Sequence, residues 1–572
     1  MSLRAAGFAG LLLAVTAAAQ VSAPLASGPW SGNVTSTSAT VAVRLTTAGL
    51  GVRLAVARTA DLASAAYSAK VVTQAATGNM AKCDVQGLLP GTTYFYGLEV
   101  EGTLLTATTT RGTFRTFPQG AVSFKIAFAS CGDFHATDQS AYDWILAEQP
   151  LLFVNMGDLH YSDTNSTNVG DYRRNFDAVL NQPNQAALYR GIPVAYMWDD
   201  HDYCGNDSDG TSVGRDTARQ AYDETAPHYA YAMAGGPIAQ AFTIGRVRVI
   251  MTDLRSAADP RGAADTAAKS HLGAAQKAWF KQELINARDV GYPLILWVCT
   301  VPWIGAAGSG DDDWSVYSTE RRELANFIRD NRIKNLVLLS GDMHALAYDD
   351  GTHSDYADGG GAPLIVFQAA ALTSTGSIKG GPYTVGPFPG SQQYGLLEVT
   401  DTGGTVVQVR FTGKHVGEGA KLTYAFTMSN AGGAAVIDSS KSALINISAR
   451  GRLAAAGDAN IVGFVISGTS ARTVLVRVVG PSLAAYGVSD ALADPRFEVY
   501  QGQTVVAAND NWADAGGDLA AVFAKVGAFR YSDPASKDAA ALLILLPGVY
   551  SAVATSANGG TGTVLVEVYD VP

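Results

Sequence analysis

Five short polar segments between residues 128 and 344 each end a predicted β-strand and carry side chains typical of a metal site. They supply a thiol, a phenol, carboxylates and imidazoles, the donor types of metal hydrolases. The segments are Ala129-Ser130-Cys131, Gly157-Asp158-Leu159-His160-Tyr161, Trp198-Asp199-Asp200-His201-Asp202, Asp253-Leu254-Arg255 and Gly341-Asp342-Met343-His344. Active sites of open α/β sheets form where the carboxyl ends of strands converge. We therefore predict that these segments meet in one site, able to hold two metal ions.

The run from Asp199 to Asp202 is the strongest single signal. Four consecutive titratable residues follow an apolar stretch, Ile192 to Met197. Without counter-charges they would repel one another and resist burial, so bound cations are the economical explanation. Asp158 follows another apolar stretch and is placed to bridge two cations, and the phenolate of Tyr161 suits a strongly Lewis-acidic ion such as Fe(III).

In their order along the chain, these motifs resemble those of the PhoD-type alkaline phosphatases, within the calcineurin-like metallophosphoesterases. The resemblance covers roughly residues 28–415. The wider superfamily reads D-x-H, G-N-H-[DE] and G-H-x-H at the first, third and last motifs. This chain departs from those patterns with Cys131, Asp200 and Asp342, which is the PhoD-type pattern. The resemblance implies a phosphatase with iron at one site and calcium, one ion or two, at the other.

Donor chemistry supports that division of the metals. The ligands expected at the ferric ion are Cys131, Asp158, Tyr161 and His344. The ligands expected at the second ion are Asp158, Asp200 and Asp342, with Asn206 as a further ligand or a contact of the substrate. All-oxygen ligation favours calcium or magnesium over zinc, so the expected cofactors are Fe(III) and Ca²⁺.

The expected reaction is phosphoester hydrolysis without a covalent phosphoenzyme. Two cations that share a carboxylate clamp the phosphoryl oxygens and generate a hydroxide that attacks phosphorus in line. His201 is predicted to protonate the leaving alkoxide, and Asp202 to orient His201. Arg255 is predicted to contact the substrate phosphate, and a structural arginine is an equally good interpretation.

Three functions fit the sequence to different degrees. The first is a secreted hydrolase of phosphomonoesters, phosphodiesters or both. A phospholipase or a phosphodiesterase of wall polymers keeps the same site and changes only the substrate. A non-catalytic secreted adhesion or binding protein accounts for the β-rich flanks but leaves the central carboxylates unexplained.

Composition limits the partners. The chain has 572 residues, 47% of them hydrophobic, a formal net charge of −11 and a pI of about 5.2. Binding to the nucleic-acid backbone needs a basic surface, so we expect no nucleic-acid partner. An acidic protein also repels anionic substrates at long range, and phosphate chemistry would therefore need local cations.

The amino terminus predicts export. Arg4 precedes the apolar run from Ala5 to Val15, and Ala17-Ala18-Ala19 offers a cleavage site, so residues 1–19 are predicted to be a signal peptide of a secreted or periplasmic protein. We expect no membrane span in the mature chain. The chain has four cysteines, too few for a disulfide scaffold, and a bridge between Cys204 and Cys299 is left open.

Periodicity divides the chain into three regions. Residues 25–117 alternate like an antiparallel β-sandwich, and the stretch from Leu89 to Tyr96 resembles a fibronectin type III corner, where a tyrosine hydroxyl binds the backbone. Residues 121–429 alternate strands with helices, which predicts a layered α/β domain; the resemblance implies the αββα arrangement. Residues 436–572 are predicted to form a second all-β domain after a linker over 430–435.

Overall fold

The computed structural model describes residues 24–429, 446–466, 472–515, 519–531 and 533–571. The predicted signal peptide over 1–19 and the predicted linker over 430–435 lie outside the described residues. The chain divides into two compact units, Met1–Asp438 and Ser439–Pro572. None of the described helices is both long enough and apolar enough to cross a bilayer.

The first unit begins with nine strands in two sheets. They are β1 (Leu25–Gly32), β2 (Ala39–Leu45), β3 (Gly51–Ala57), β4 (Ala66–Tyr67), β5 (Val71–Val72), β6 (Met80–Val85), β7 (Thr93–Val100), β8 (Thr103–Leu104) and β9 (Arg111–Arg115). Strands β3, β4, β5, β7, β8 and β9 form a six-stranded sheet. The predicted corner hydrogen bond is present, since the Leu89 N–H donates to the Tyr94 hydroxyl at 2.9 Å.

Strands and helices then alternate up to residue 429. The strands are β10 (Phe124–Ala129), β11 (Leu152–Met156), β12 (Val194–Met197), β13 (Gln240–Ile244), β14 (Val247–Met251), β15 (Leu294–Cys299), β16 (Leu336–Ser340), β17 (Ala345–Asp349), β18 (Ile365–Ala369), β19 (Val385–Pro389), β20 (Gln393–Thr400), β21 (Val406–His415) and β22 (Gly419–Ser429). The helices are α1 (Ser140–Glu148), α2 (Val169–Asn181), α3 (Pro183–Gly191), α4 (Asp200–Tyr203), α5 (Arg215–Thr225), α6 (Ala274–Val290) and α7 (Ser318–Asp330).

Two large mixed sheets form the centre of this unit. One has nine strands in the order β22-β21-β20-β10-β11-β12-β1-β2-β6, and the other has seven in the order β13-β14-β15-β16-β18-β17-β19. Strand β1 joins the first sheet through a parallel pairing of Gly32 with Val194. The region predicted as a separate amino-terminal sandwich therefore shares a sheet with the central layers.

Aromatic contacts show how the layers stack. Phe411 of β21 lies 4.3 Å from Phe367 of β18 between ring centroids, so the two sheets face each other. Phe153 of β11 contacts Tyr189 of α3, and Phe280 of α6 contacts Trp297 of β15. Helices thus cover both sheets in an αββα arrangement. The central strands are buried along their whole length, as expected for parallel strands covered on both faces.

The second unit contains eight strands and one α-helix among its described residues. They are β23 (Asn446–Leu453), β24 (Asn460–Ile466), β25 (Arg472–Val479), β26 (Pro495–Gln501), β27 (Thr504–Asn509), α8 (Leu519–Val526), β28 (Ala539–Leu545), β29 (Gly548–Ser556) and β30 (Gly562–Asp570). The strands form two four-stranded sheets, in the orders β23-β30-β25-β28 and β24-β29-β26-β27. The prediction of an all-β domain misses α8, whose Leu519 and Phe523 are buried.

The four cysteines of the chain are free and buried. Cys204 Sγ lies 3.5 Å from the hydroxyl of Tyr172, and Cys299 Sγ accepts a hydrogen bond from the indole N–H of Trp314 at 3.1 Å. The bridge between Cys204 and Cys299 that the sequence left open is therefore not formed.

Candidate metal centre

Four strand ends build the site. Strands β10, β11, β12 and β16 are followed within a few residues by Cys131, Asp158, Asp200 and Asp342. Three of these residues have the left-handed backbone that non-glycine residues seldom adopt, with φ of 66° at Cys131, 51° at Asp158 and 61° at Asp342. Such backbone conformations are retained where the surroundings impose them, and they are common at functional sites.

The four ligands predicted for the first ion lie together. The donor atoms of Cys131, Asp158 and His344 all lie within 4.8 Å of one another. The hydroxyl of Tyr161 is 3.0 Å from Asp158 Oδ2 and 3.0 Å from His344 Nε2. His344 Nδ1 is 2.5 Å from the carbonyl oxygen of Thr375, which fixes the ring and leaves Nε2 facing the cluster. Burial lowers the pKa of His344 to about 4, so the imidazole is neutral, as a metal ligand must be.

Asp158 also belongs to the predicted second ligand set. Its donor atoms group within 4.8 Å with those of Asp200 and His201, and separately with those of Asp199 and Asp342. Asp158, Asp199, Asp200 and Asp342 are all buried. The six predicted ligands are thus brought into one centre with Asp158 between the two sets.

The buried carboxylates of this centre outnumber the basic side chains that form ion pairs with them. Arg255 pairs with Asp199 and Asp312, and Lys379 pairs with Asp342. Among the described residues, no lysine, arginine or histidine forms an ion pair with Asp158. Burial, followed by the neighbouring carboxylates Asp200, Asp202 and Asp342, raises the pKa of Asp158 well above its usual range. A positive partner would favour the ionised form of Asp158.

The donors present fit bound cations. Asp199 Oδ2 is buried and has no hydrogen-bond partner, while its other oxygen accepts from Arg255 and Thr300. Burial also raises the pKa of the Cys131 thiol well above its usual range, although the thiolate is the form that binds metals. Metal ions would satisfy the orphaned oxygen and stabilise the thiolate, so this set of residues suits two cations.

His201 lies at the edge of the centre beside a carboxylate that the sequence analysis did not single out. Its Nδ1 is 2.5 Å from Asp163 Oδ1, and its ring lies 4.2 Å from that of Tyr161. Burial opposes protonation, but Asp200 and Asp163 together raise the pKa of His201 above its usual value. The protonated imidazole is therefore favoured relative to that of a free histidine, and it lies beside the centre as a candidate proton donor.

The predicted role of Asp202 is wrong. Its carboxylate accepts hydrogen bonds from the backbone N–H of Leu159 and of Asp199, both at 2.7 Å. It also accepts one from the hydroxyl of Tyr196 at 2.7 Å. Asp202 closes a capping box with Asp199 at the start of α4. It therefore supports the loop, and Asp163 is the residue that holds the ring of His201.

Of the two residues predicted to contact substrate, Arg255 takes the structural role that the sequence equally allowed, and Asn206 stays a prediction. Arg255 is 2% exposed, and its guanidinium is engaged by Asp199 and by both oxygens of Asp312. It orders the carboxylates and has no free face for a phosphate. Asn206 is exposed, and among the described residues no hydrogen bond joins its side chain to the centre. The neighbouring Asp207 N–H binds Asp200 instead.

Three residues of the centre were missed from sequence. Asp312 lies in the run Asp311-Asp312-Asp313, a cluster of acidic residues that could have been noticed. Asp163 lies five residues after Asp158 and shares its loop, but nothing in the spacing links it to His201. Lys379 lies in a glycine-rich loop far along the chain, and we find no sequence signal for it.

Two family profiles and a curated relative match this chain. The profile of the PhoD-like phosphatase family matches residues 126–386, and the profile of the PhoD-like phosphatase amino-terminal domain matches residues 12–118. Alkaline phosphatase D of Bacillus subtilis (strain 168) is 25% identical over 321 residues, which are 48% of this chain and 54% of that protein. The match thus spans about half the length of that relative.

A structure of PhoD superposes with a TM-score of 0.60 at 20% identity, covering 71% of this chain and 91% of that one. This likeness concerns the fold. A purple acid phosphatase from yellow lupin seeds superposes with a TM-score of 0.49 at 12% identity, covering 70% of this chain and 74% of that one. This similarity is too low to support a functional conclusion. From the two family profiles, which match residues 12–118 and 126–386, we conclude that the chain belongs to the PhoD-like phosphatase family.

Proposed function

We propose that this chain is an exported, metal-dependent phosphoester hydrolase of the alkaline phosphatase D type. The observation that carries the proposal is the group of buried carboxylates around Asp158, which exceeds the charge of Arg255 and Lys379. Metal ions are the counter-charge that such a group needs. Paired ions that share a carboxylate are a common device for hydrolysing phosphoesters.

We assign Fe(III) and Ca²⁺ to the two donor sets. The grouping of a thiol, a phenol and an imidazole around Asp158 supports Fe(III) at Cys131, Tyr161 and His344. Carboxylate oxygens alone support a hard cation at Asp200 and Asp342, with Asp158 shared between the two ions. The ions would polarise the phosphoryl group and acidify the attacking water.

The protein's own residues handle the leaving group and the order of the site. Asp163 on Nδ1 of His201 leaves Nε2 as the nitrogen that can give a proton to the departing oxygen. Stacking on Tyr161 limits rotation of the imidazole. Arg255 keeps Asp199 in place by a bond to its Oδ1. Asp202 holds the backbone of Leu159, next to Asp158.

Phosphomonoesters, phosphodiesters or both are the proposed substrates. A phosphodiesterase or phospholipase acting on wall polymers or lipids would use the same donors, and the loops around the site would select the substrate. Export rests on the sequence of residues 1–19. The adhesion interpretation leaves the buried carboxylates without a purpose, so we do not favour it.

A metal-removal experiment on the full chain tests the proposal. Purified protein is assayed with p-nitrophenyl phosphate and bis(p-nitrophenyl) phosphate, dialysed against a chelator, and assayed again after iron and calcium are restored. We expect hydrolysis of at least one ester, its loss with the metals and its return with them. If the protein hydrolyses neither ester while both ions are bound, the proposal is contradicted. Full activity in metal-free protein would contradict it as well.

A further inference from the structure

Lys379 is, after Arg255, the second basic side chain that forms ion pairs with carboxylates of the centre. Its ammonium lies in a different position from the guanidinium of Arg255. Its Nζ donates to both carboxylate oxygens of Asp342, at 2.6 Å and 2.9 Å. The side chain of Lys379 is 29% exposed, whereas that of Arg255 is 3% exposed. Lys379 therefore stands at the solvent side of the buried carboxylates, where a substrate must approach.

The loop that carries Lys379 is tied down on both sides of it. The N–H of Ser377 donates to the carbonyl of His344 at 3.2 Å, and the N–H of Gly381 donates to the carbonyl of Ile304 at 2.9 Å. A Cβ at Gly380, where φ is 67°, would lie 2.0 Å from the Ile304 oxygen, so only glycine allows this close approach. The lysine is thus held at the centre by the backbone as well as by Asp342.

Lysine side chains are ammonium ions below an ordinary pKa of about 10.4, so Lys379 offers a positive charge beside Asp342. Asp342 is also one of the proposed ligands of the second cation, and a carboxylate that binds a cation is a weaker partner for an ammonium. Phosphate oxygens are strong acceptors for the N–H groups that are then released.

We propose that Lys379 binds a terminal oxygen of the substrate phosphate and thereby favours phosphomonoesters over phosphodiesters. This inference rests on the proposed function. A monoester carries a second ionisation with a pKa near 6, so at alkaline pH it has one more negative charge than a diester. The diester bears an alkyl or aryl group where that additional charge lies, and it gains less from an ammonium at this position.

The test compares Lys379→Met with Lys379→Arg in the metal-loaded full chain. Lys334→Met, which removes an exposed lysine outside the centre, is the control. Three quantities are measured: kcat/KM for p-nitrophenyl phosphate, kcat/KM for bis(p-nitrophenyl) phosphate, and the Kd of inorganic phosphate by calorimetry. Thermal unfolding and metal content are recorded for each variant, so that misfolding is recognised.

We expect Lys379→Met to weaken phosphate binding and monoester kcat/KM by about 10- to 100-fold, the worth of one charge-assisted hydrogen bond. The value of kcat/KM for the diester should fall much less. The Lys379→Arg variant should retain most of the wild-type kcat/KM for the monoester. Equal losses on both esters, or unchanged phosphate affinity in folded, metal-loaded Lys379→Met, would overturn the inference. The calorimetric result decides the role of Lys379 even if neither ester is hydrolysed, an outcome that refutes the proposed function separately.

Discussion

The metal centre and the Arg477–Glu567 pair of the second unit both bury charge, but only the pair contains equal numbers of positive and negative groups. In the second unit the buried guanidinium of Arg477 lies over the rings of Phe523 and Tyr531, 4.3 Å and 4.7 Å from their centroids. Its Nε is 3.5 Å from Glu567 Oε2. One cation thus meets one carboxylate and aromatic faces that attract cations. Around Asp158 the carboxylates outnumber the cations.

The difference teaches which buried charge indicates function. A buried ion pair is common in protein cores and says little by itself. An excess of one sign costs free energy unless a ligand compensates it, and the excess around Asp158 is negative. Arg477 should therefore matter for stability, and the residues around Asp158 for binding and chemistry. The predictions below test this contrast.

The largest effect is expected from Asp158→Ala. Because this carboxylate lies between both ligand sets, its loss should lower the content of both metals. We expect kcat to fall by more than about 10³-fold, since losing a single transition-state donor already costs about 10²–10³-fold. Metal analysis and steady-state kinetics measure the two changes. Asp349→Ala, which removes a fully buried carboxylate elsewhere, should leave metal content intact in the folded protein. Wild-type metal content in Asp158→Ala would contradict the claim that the carboxylates around Asp158 serve metal binding.

His201→Ala should keep both metals and lose rate. A general acid contributes about 10²–10⁴-fold, so we expect a loss in this range for alkyl phosphates and a smaller one for p-nitrophenyl phosphate, whose leaving group needs no proton. Asp163→Asn should cost about 10- to 100-fold on the same substrates, as for other residues that orient a functional group. His135→Ala is the matched control, because His135 pairs with Asp133 at the surface. The same loss for both leaving groups would assign His201 a structural role.

Asp202→Asn should affect folding more than catalysis. The substitution keeps the shape of the side chain but replaces an acceptor oxygen by a donor facing N–H groups and a hydroxyl. Leaving a buried donor unsatisfied costs about 1–3 kcal/mol, which chemical denaturation of the metal-loaded protein would measure. We expect kcat of the folded variant to stay close to wild type. A loss as large as that of His201→Ala would restore the catalytic role that the sequence first suggested.

Arg477→Met should have the smallest effect on chemistry. Removing the cation leaves Glu567 buried and unpaired, and breaking a buried pair in this way costs about 3–5 kcal/mol. We expect a lower unfolding midpoint together with unchanged metal content and unchanged kcat. Arg452→Met is the control, because it removes an exposed partner of Asp490. A loss of metal in folded Arg477→Met would contradict the separation of the two regions.

The sequence was informative where side chains follow strand ends. Cys131, Asp158, Asp200 and Asp342 could be predicted to meet because their strands are apolar and buried, and the carboxyl ends of such strands converge. The family resemblance then separated these motifs from ordinary turns. The periodicity of the sequence also predicted a layered α/β domain. By contrast, β1 and β12 share a sheet through a long-range pairing that no local sequence pattern reveals.

The sequence failed where neighbours in the chain point in different directions. Asp202 follows His201 directly, but both lie in helix α4, where consecutive residues are rotated by about 100°. Their side chains therefore diverge, and Asp163 from another loop reaches the imidazole. The sequence left Arg255 open between a substrate contact and a structural role, because Asp312, its partner 57 positions further along the chain, could not be identified in advance. Lys379 approaches Asp342 through tertiary packing alone.

Metal analysis combined with the absorption spectrum of the purified protein tests the central claim most directly. The account predicts iron and calcium bound to the same chain, with a visible charge-transfer band from Tyr161 and Cys131. Tyr161→Phe should shift or bleach that band while the protein stays folded. Active protein that holds no metal, or that holds zinc at both sites after expression with iron available, would contradict the account.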